Sequence, residues 1–545
     1  MLLRPASAGR GAVFTGCLPD HLVGWLAPVS GRAVPQLRYR VSKLLRERLP
    51  SVPVHEPTPM TPEQRRAARA LLAVISPVAD ELGVLFASRG YELALVGGPV
   101  RDVFLRRPHS DLDLTTSATP EQVLEITRDW ADTTWPVGIK YGTVGLRRGS
   151  TILEITTYRS EQYERNSRKP DVRYGDSLVD DLARRDFTVN AMAARLPDHD
   201  LVDPFGGLHD LRDKVLRTPG RPEDSFNDDP LRILRAARFV AELGFTPTPD
   251  VRAAMAELAP RIEIVSAERI CAELEKLLLA ARPGGPSAGI DLLVQTGVAD
   301  HFLPEVPRLR LEVDEHHRHK DVYRHSLTVL GQAIALEERY GLERDLRLRL
   351  AALLHDIGKP KTRKLLPDGR VAFHHHDIEG ANLARARLKA LRFPSDVTAD
   401  VAKLIGLHLR FHGFGNGEWT DSAVRRYVTD AGPLLTRLHA LTRADSTTRN
   451  RAKAQRLAAS YDVLEQRIAA LAEQEELASI RPDLDGNEIM ELLRIKPGPA
   501  VGRAYAHLLE LRLEHGPLGH DRAVQELLRW ARDAGIVTGG SPDGG

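Results

Sequence analysis

Several features that mark other protein classes are scarce in this chain of 545 residues. Its two cysteines, Cys17 and Cys271, stand far apart in unlike contexts, which excludes a disulfide framework and a cysteine-based zinc site. No apolar run approaches the roughly 18 residues that a membrane helix needs. The formal net charge is only +2, so any surface for nucleic acid must be a local patch. We therefore expect a soluble, cytoplasmic protein without a membrane partner.

The chain is too long for one hydrophobic core, and its composition, 42% hydrophobic and 28% charged, is typical of globular proteins. The first 60 residues are poor in acidic side chains: before Glu47, only Asp20 is acidic. That composition fits an organellar transit peptide, but no apolar segment or cleavage site accompanies it, so a flexible extension is the simpler interpretation. We predict these segments: an extension (1–60), a head (61–207), a neck (208–285), a helical body (286–450), a helical tail (451–535) and a disordered end (536–545).

A strand, a tight turn and a helix are predicted near the start of the head. Residues 93–96 form an apolar run typical of a buried strand, Gly97-Gly98 turns the chain, and residues 100–105 are helical in pattern. Backbone N–H groups at such a turn can approach a phosphate closely, and the helix N-terminus favours its negative charge. Arg101, in the first helical turn, could hold the same phosphate with two hydrogen bonds.

A pair of carboxylates follows this turn. Asp111 and Asp113 alternate with leucines, so in a strand both carboxylates lie on one face. Such paired oxygen ligands, together with substrate phosphates, suit Mg²⁺. Glu154, on a later predicted strand, could add a third carboxylate or be an ordinary strand-edge residue. A phosphate-binding turn followed by paired carboxylates is what metal-dependent nucleotidyl transfer needs.

The two motifs in this order resemble the class II tRNA nucleotidyltransferase and poly(A) polymerase family. The resemblance extends over residues 85–515 and implies an α+β protein: a polymerase-β-like nucleotidyltransferase head with a small mixed sheet, then an all-α neck, an HD-type body and a tail. The CCA-adding branch is favoured, because the polyadenylating branch usually carries basic residues and Phe at the positions of Gly98, Pro99 and Val100. The polar segment 160–178 matches a flexible loop that helps the family switch from adding C to adding A.

The segment RRDFTVNA matches the part of the family that recognises the ribose and phosphates of the nucleotide. The resemblance implies that Asp186 accepts a hydrogen bond from a ribose hydroxyl and that Arg185 faces phosphate. From the residues alone, Arg184 and Arg185 could equally pair with Asp180 and Asp181.

Asp229 and Arg232 stand three residues apart at the start of a predicted helix and share its face. Cytosine and adenine both present an exocyclic amine beside a ring-nitrogen acceptor. A carboxylate and a guanidinium would therefore accept CTP and ATP, and would reject GTP and UTP by leaving buried groups unpaired. The segment DDPLR resembles the family's template EDxxR, with Asp228 in place of Glu. An exposed salt bridge is the ordinary alternative.

The same helix carries two further arginines, Arg235 and Arg238, which we predict to contact the nucleotide. The next predicted helix, 267–280, carries Arg269 and Glu273 among apolar residues. It is expected to support the helix before it.

Histidines become frequent in the helical part beyond residue 283, where HDIGK follows an apolar helix. Single histidines on helices are mostly structural, but the ordered set resembles the HD phosphohydrolase superfamily. The implied ligands of Mg²⁺ or a divalent transition metal are His325, His355, Asp356 and Asp445, with His376 and His408 as further candidates. In some bacterial CCA-adding enzymes such a domain hydrolyses phosphates or cyclic phosphodiesters at RNA ends; the alternative is an inactive scaffold.

In the tail, residues 497–499 read Pro-Gly-Pro between two predicted helices. Arg494, Lys496 and Arg503 flank them, which fits a contact with the RNA backbone. A plain helical hairpin is the alternative.

The resemblance implies addition of C, C and A to tRNA 3′ ends from CTP and ATP. Asp111 and Asp113 would hold two Mg²⁺ ions at the primer hydroxyl and the triphosphate, while the glycine turn orients the triphosphate. The alternatives are a poly(A) polymerase, a CC-adding or A-adding enzyme, or an HD metal-dependent phosphohydrolase with an RNA-binding head. No DNA partner is expected, and the oligomeric state stays open.

Overall fold

The computed structural model describes residues 61–73, 75, 77–108, 112–138, 142–162, 171–175, 177–311, 321–367, 371–411, 420–446, 451–475, 477 and 480–536. The predicted extension (1–60), residues 537–545 and Asp111 lie outside the described residues, as does the middle of the predicted loop 160–178.

The head is built on a mixed β-sheet. Its strands are β1 (Leu93–Val96), β2 (Leu112–Thr116), β3 (Thr133–Gly138), β4 (Thr143–Arg148), β5 (Thr151–Thr157), β6 (Arg159–Gln162), β7 (Asp171–Tyr174), β8 (Ala193–Leu196) and β9 (Asp200–Val202). Seven of them form one sheet in the order β3-β4-β5-β2-β1-β8-β9. β2 and β5 run parallel, and the other neighbours run antiparallel. All four residues of β1 are buried, as its apolar run predicts.

The ends of the predicted loop 160–178 form a hairpin instead. β6 pairs antiparallel with β7, from Arg159 opposite Tyr174 to Gln162 opposite Asp171. The sequence gives little sign of this pairing, because both strands are polar and lack the alternation of a half-buried strand.

Six helices belong to the head: α1 (Pro62–Leu72), α2 (Pro77–Ser88), α3 (Gly98–Phe104), α4 (Pro120–Thr127), α5 (Leu178–Ala183) and α6 (Gly207–Asp213). The broken helix predicted after Thr61 corresponds to α1 and α2. α4 starts where predicted, with a capping box at Thr119, but ends before Asp132. The reason is that the backbone N–H of Asp132 already bonds to the carbonyl of Arg147 at the sheet edge.

Among the described residues, no single helix is long and apolar enough to cross a membrane. One bent pair, residues 65–72 with α2, meets that test by length and composition only. Ala79, Leu82 and Phe86 of α2 are buried in the protein core.

The neck joins short helices to the head. Its elements are β10 (Val215–Leu216), α7 (Pro222–Asp228), α8 (Leu231–Leu243), β11 (Thr246–Pro247), α9 (Pro249–Glu257) and α10 (Ala267–Leu278). α8 is the helix predicted at Pro230. The prediction that Asp229 shares a face of this helix with Arg232 is wrong, because Asp229 precedes α8 and has an extended backbone with φ −137° and ψ 99°. Its Oδ1 accepts a hydrogen bond from the N–H of Leu231, the first residue of α8, at 3.1 Å. Asp228 ends α7, a helix that the sequence did not predict. The apolar residues Ile233 and Leu234 of α8 are buried as predicted.

The body is helical except for one small hairpin, which the sequence did not predict. Its elements are α11 (Gly285–Gln295), α12 (Glu305–Arg308), α13 (Val322–Leu336), α14 (Leu346–Leu354), α15 (Lys359–Thr362), β12 (Arg363–Leu365), β13 (Val371–Phe373), α16 (His376–Ala390), α17 (Ser395–Leu407), α18 (Asp421–Ala431) and α19 (Leu435–Asp445).

The tail contains α20 (Arg451–Glu475), α21 (Gly486–Leu493), α22 (Pro499–His515) and α23 (His520–Asp533). The two helices predicted on either side of residues 497–499 are α21 and α22. Leu484, Ile489, Leu508 and Leu527 centre a hydrophobic cluster of the last three helices, separate from the core shared by head, neck and body.

Candidate functional site

The glycine turn, Arg185 and Asp113 meet beside β1. Gly97 has a φ of 72°, a left-handed conformation that favours glycine. A Cβ atom added there would stand 3.4 Å from Nη1 of Arg185 and 3.8 Å from Oδ2 of Asp113. Gly98 then begins α3. The structure thus brings together a backbone turn, a cation and a carboxylate from three parts of the sequence.

Asp113 and Glu154 lie on neighbouring strands in register. β2 pairs with β5 so that Asp113 is opposite Glu154, and both side chains leave the same face of the sheet. Both residues are exposed, while Leu112 and Leu114 are buried on the other face. This placement fits the predicted third carboxylate, whose role in metal binding stays a prediction.

Arg101 is buried and hydrogen-bonded within the head. Its Nε and Nη2 donate to the two carboxylate oxygens of Asp102 at 2.9 and 3.0 Å, and Nη1 donates to Oδ1 of Asn190 at 2.7 Å. These bonds make Arg101 a support for the glycine turn, and its predicted contact with phosphate stays a prediction. Sequence reasoning missed Asn190, whose only signal is its place in RRDFTVNA.

Asp181 anchors both arginines of that segment. Its carboxylate is fully buried and accepts hydrogen bonds from Arg184 Nη2 at 2.6 Å, Arg185 Nη2 at 3.2 Å and Thr115 Oγ1 at 3.2 Å. Burial by itself raises the pKa of Asp181, but Arg185 and Arg184 outweigh it, so the pKa is lowered. Arg184 and Arg185 therefore both pair with Asp181. The hydrogen bond from Arg185 to Asp181 also holds the Arg185 guanidinium beside Gly97.

Asp186 links the head to α8. Its Oδ2 accepts from Nε and Nη2 of Arg235 at 2.8 and 2.5 Å, and its Oδ1 accepts from Asn190 Nδ2 at 3.0 Å and the N–H of Phe187 at 2.8 Å. Burial raises the pKa of Asp186, but Arg235 and Asn190 hold it well below the ordinary range. Asp186 raises the pKa of Arg235 in turn. The predicted ribose contact of Asp186 stays a prediction.

Asp229 and Arg232 have separate partners. Oδ2 of Asp229 accepts from Nη2 of Arg269 at 2.7 Å. Arg232 donates from Nη1 to Oγ of Ser225 at 2.8 Å and from Nη2 to the carbonyl of Arg184 at 2.6 Å. The described ion pairs include no salt bridge between Asp229 and Arg232, so the alternative interpretation of a mutual salt bridge is not observed.

Arg238 and its neighbours surround a buried aromatic ring. Nε of Arg238 lies 2.8 Å from Oε2 of Glu273 on α10. The guanidiniums of Arg101, Arg235 and Arg238 lie 5.4, 5.7 and 4.5 Å from the ring centroid of Phe239, within cation–π range. Sequence reasoning missed Phe239. Through Arg269 and Glu273, α10 supports α8 as predicted.

The predicted ligands of the body form a second site. Two triplets have ligand atoms within 4.8 Å of one another: His325, His355 and Asp445, and Asp356, His376 and His408. Asp356 lies between the triplets, with Oδ2 3.2 Å from Nε2 of His355 and Oδ1 3.4 Å from Nε2 of His376. His325 Nε2 lies 2.8 Å from Oδ1 of Asp445. The structure therefore brings all six residues into one cluster.

Backbone carbonyls orient three of these imidazoles. Nδ1 of His355, His376 and His408 lies 2.9, 2.8 and 2.6 Å from the carbonyl oxygen three residues earlier. Because a carbonyl only accepts, each Nδ1 carries a proton and Nε2 faces the cluster. Nε2 of His355 and of His408 is buried without a hydrogen-bond partner, which suits atoms that would ligate a cation.

The electrostatics of the cluster also favour a cation. Burial lowers the pKa of His355, yet Asp356 and Asp445 outweigh it and raise that pKa to about 10. Burial, followed by the effect of His355, lowers the pKa of His408 to about 3 and keeps that imidazole neutral. Two carboxylates beside a neutral imidazole are a suitable donor set for a divalent metal.

Gly358 allows this cluster to close. A Cβ atom added to it would overlap the carbonyl oxygen of His376 and lie 2.6 Å from the N atom of Gly380. Two backbones therefore touch where the chain after Asp356 meets α16. Lys359 donates from Nζ to Oδ2 of Asp356 at 2.9 Å, a contact that the sequence did not predict.

Three family models match successive parts of the chain. Residues 93–217 match "Poly A polymerase head domain", residues 244–309 match "Probable RNA and SrmB- binding site of polymerase A", and residues 322–450 match "HD domain". Their order follows the head, neck and body.

A relative from Deinococcus radiodurans, an A-adding tRNA nucleotidyltransferase, is 37% identical over 366 residues, which cover 66% of this chain and 80% of the relative. The chain belongs to the tRNA nucleotidyltransferase and poly(A) polymerase family. A CCA-adding enzyme from Geobacillus stearothermophilus is 41% identical over 234 residues, 42% of this chain. That alignment spans 55% of the relative, about half its length.

Solved structures confirm the fold of this family. The structure of the Bacillus stearothermophilus CCA-adding enzyme in complex with CTP superposes with a TM-score of 0.56 at 25% identity, and covers 84% of this chain and 99% of its own. The Thermotoga maritima CCA-adding enzyme complexed with tRNA has a TM-score of 0.52 at 19% identity, covering 90% of this chain and 98% of its own, and supports the fold alone. The predicted α+β head with helical domains after it is thereby confirmed.

Proposed function

We propose that this protein adds C, C and A to the 3′ ends of tRNA from CTP and ATP, without a nucleic-acid template. The observation that carries the proposal is the pair of hydrogen bonds between Asp186 and Arg235. It joins the phosphate side of the head, at Gly97 and Arg185, to the helix that would select the base. One nucleotide could then meet both groups at once.

On the phosphate side, the backbone N–H groups of Gly97 and Gly98 and the guanidinium of Arg185 would bind the triphosphate. Asp113, with Asp111, would hold Mg²⁺, and the exposed carboxylate of Glu154 in register with Asp113 supports an oxygen-rich site. Bound there, Mg²⁺ would lower the pKa of the primer hydroxyl and neutralise charge on the triphosphate.

On the base side, Asp229 would accept a hydrogen bond from the exocyclic amine, and Arg232 would donate one to the ring nitrogen. Both side chains are already oriented, Asp229 by Arg269 and Arg232 by Ser225. Uracil and guanine present the opposite pattern on that edge, so a buried group would stay unpaired with UTP or GTP. Arg235 and Arg238 on the same helix would complete the nucleotide site.

For the body, we propose a divalent-metal phosphohydrolase site. Each triplet would supply ligands to one cation, with Asp356 next to both, and the buried Nε2 atoms of His355 and His408, which make no hydrogen bond, support a ligand role. Bound cations of this kind activate water and bind phosphate oxygens. Mg²⁺ and a transition metal are both compatible with the mixed imidazole and carboxylate set.

The remaining segments complete the proposal. Residues 61–207 would be the catalytic head, 208–285 the neck, 286–450 the HD body and 451–535 a tail that binds tRNA. In that tail, Arg494, Lys496 and Arg503 would contact the RNA backbone. Because its substrates are tRNA and nucleoside triphosphates, the protein would work in the cytoplasm.

Addition of A alone is the second candidate, because the Deinococcus radiodurans relative with 80% coverage carries that name. The test uses purified protein, tRNA ending before CCA or after CC, and each labelled nucleoside triphosphate in turn. Incorporation of C, C and then A on the shorter tRNA supports CCA addition. Incorporation of A only, and only after CC, supports the A-adding candidate. A long A tail indicates a poly(A) polymerase, and no incorporation contradicts the proposed function.

A further inference from the structure

Arg349 is a charged residue in the core that no step proposed above uses. It lies on α14 and is 2% exposed. Its Nε and Nη2 donate to Oε1 and Oε2 of Glu337 at 2.6 Å each. Glu337 is also buried, and its Oε1 accepts a further bond from the N–H of Asp345 at 3.1 Å. A buried pair with this many hydrogen bonds has a fixed geometry.

The third side of the guanidinium faces the neck. Nη1 of Arg349 donates to the carbonyl of Leu278 at 2.6 Å and to that of Ala280 at 3.1 Å. Leu278 is the last residue of α10. The last carbonyls of a helix lack partners inside it and carry partial negative charge, so a cation stabilises them. Arg349 is therefore the cap that the body supplies to α10.

α10 also contacts Asp229, one of the two proposed base-selecting residues, and Arg238, a residue of α8 proposed to contact the nucleotide. Arg269 bonds to Asp229 at 2.7 Å, and Glu273 lies 2.8 Å from Arg238. These two residues are one helical turn apart and share a face. Glu273 precedes the capped carbonyl of Leu278 by about one and a half turns. Holding the C-terminal end of α10 in place therefore also holds Arg269 against Asp229 and Glu273 against Arg238.

We propose that Arg349 is a positioning residue for nucleotide selection. It acts through α10: by holding the end of that helix against the body, it keeps Arg269 and Glu273 in place against α8. This inference rests on the proposed role of Asp229 in base recognition. Arg349 itself touches no nucleotide, so it should affect the choice of nucleotide more than the catalytic step.

A second ion pair, within the body, serves as the matched control. Arg387 on α16 donates from Nε and Nη2 to Glu305 on α12 at 2.9–3.1 Å. Glu305 is buried and Arg387 partly buried. This pair resembles the pair of Arg349 and Glu337 in chemistry and also lies within the body, but neither of its residues has a described hydrogen bond to α10.

The experiment compares full-length variants on tRNA lacking CCA. The double variant Arg349→Met with Glu337→Gln removes both charges, so no buried ion is left alone. Arg349→Lys keeps the charge but not the planar fork. The control is Glu305→Gln with Arg387→Met. For each, kcat/KM for CTP over UTP is measured beside the thermal midpoint.

We expect the ratio of CTP to UTP to fall roughly threefold to tenfold in the Arg349 double variant and less in Arg349→Lys. The control double variant should lose a similar amount of thermal stability and keep the wild-type ratio. Arg269→Met should lower the ratio as well, and adding it to the Arg349 variant should change little further, because both act through the same bond.

Other outcomes overturn the inference. An unchanged ratio in folded Arg349 variants does so. An equal loss of the ratio in the control does so too, because it would indicate a general effect of removing a buried ion pair from the body. If the double variant does not fold, the result for Arg349→Lys decides. If the wild-type protein did not discriminate between CTP and UTP, that result would refute the proposed function, and the inference with it.

Discussion

Arg269 on α10 donates a hydrogen bond over 2.7 Å to Asp229, which in turn accepts one from the N–H of Leu231 at the start of α8. Arg269 is half exposed, so this ion pair adds little to stability. Its effect is on orientation: it fixes the carboxylate of Asp229 just before the helix that carries Arg232.

The first prediction concerns the proposed base-selecting residues, Asp229 and Arg232. Replacing Asp229 and Arg232 together by Ala should lower the ratio of kcat/KM for CTP over UTP by roughly tenfold to a hundredfold. The physical reason is that each lost hydrogen bond to a buried base edge costs about 1–3 kcal/mol. The ratio for ATP over GTP should fall in parallel.

An exposed pair on the preceding helix provides the control. Arg221 and Asp224 are also three residues apart, and their charged atoms lie 3.9 Å apart on the surface. Replacing both by Ala should leave the nucleotide ratios unchanged. If the two double variants behave alike, Asp229 and Arg232 do not select the base.

The second prediction concerns the metal at the head. Asp113→Asn should lower nucleotide addition by at least about a thousandfold, because it removes a proposed ligand of Mg²⁺. Glu154→Gln should have a smaller effect, because the charged carboxylates of Asp111 and Asp113 would both remain to bind Mg²⁺. Binding of tRNA, measured by filter retention, should persist in both. Addition by Asp113→Asn within about tenfold of wild type would contradict the assignment.

Local chemistry was enough to predict one group of features. The apolar run before Gly97 predicts β1, the glycine pair predicts the turn, and alternation predicts that Leu112 and Leu114 face the core. The ordered histidines predict the second site because the HD pattern specifies all of its ligand types. The first three signals each lie within a short stretch of sequence, whereas the HD ligands extend from His325 to Asp445 and are predicted through the resemblance to the HD superfamily.

The long-range hydrogen-bond partners of the site residues could not be predicted from the sequence. Arg101 bonds to Asn190, and Arg235 to Asp186, across many intervening residues, and no periodicity encodes such pairs. β8 was missed for a related reason. Ala193 and Ala194 favour helix by propensity, but pairing of this strand with β1 and β9 overrides it.

The third prediction tests metal binding in the body with three adjacent histidines. His376 is buried in the cluster, whereas His374 and His375 are exposed. His376→Ala should lower the bound metal, measured by mass spectrometry after dialysis, and His374→Ala should not. Equal metal content in wild type and His376→Ala would show that His376 is not a ligand.

The fourth prediction separates the two activities. Replacing His355 and Asp356 together by Ala should abolish hydrolysis of 2′,3′-cyclic AMP, because one residue of each triplet is lost. Nucleotide addition should remain largely intact, since neither residue contacts the head in the described bonds. Unchanged hydrolysis by the folded double variant would contradict the HD assignment, and loss of both activities would show that the sites are not separate.

The fifth prediction concerns stability at low pH and Asp181. This carboxylate is fully buried, and Arg185 and Arg184 lower its pKa. A carboxylate with a lowered folded pKa contributes stability above its unfolded pKa of about 3.9, and that contribution is lost as the pH falls through the folded pKa. The contribution is therefore present at neutral pH and absent in strong acid.

Asp181→Asn should consequently lower the thermal midpoint of the head at pH 7, by an amount equivalent to about 1–3 kcal/mol, since an amide cannot offset two partly buried guanidiniums. The gap between wild type and variant should stay constant down to about pH 4 and then narrow, because only the wild type loses the contribution. Differential scanning calorimetry between pH 7 and pH 3 measures it. Asp180→Asn, at the exposed neighbouring position on α5, controls for the change of side chain and should leave the midpoint unchanged throughout. A gap that widens in acid, or one of equal size for both variants, would mean that the charge of Asp181 does not hold Arg184 and Arg185.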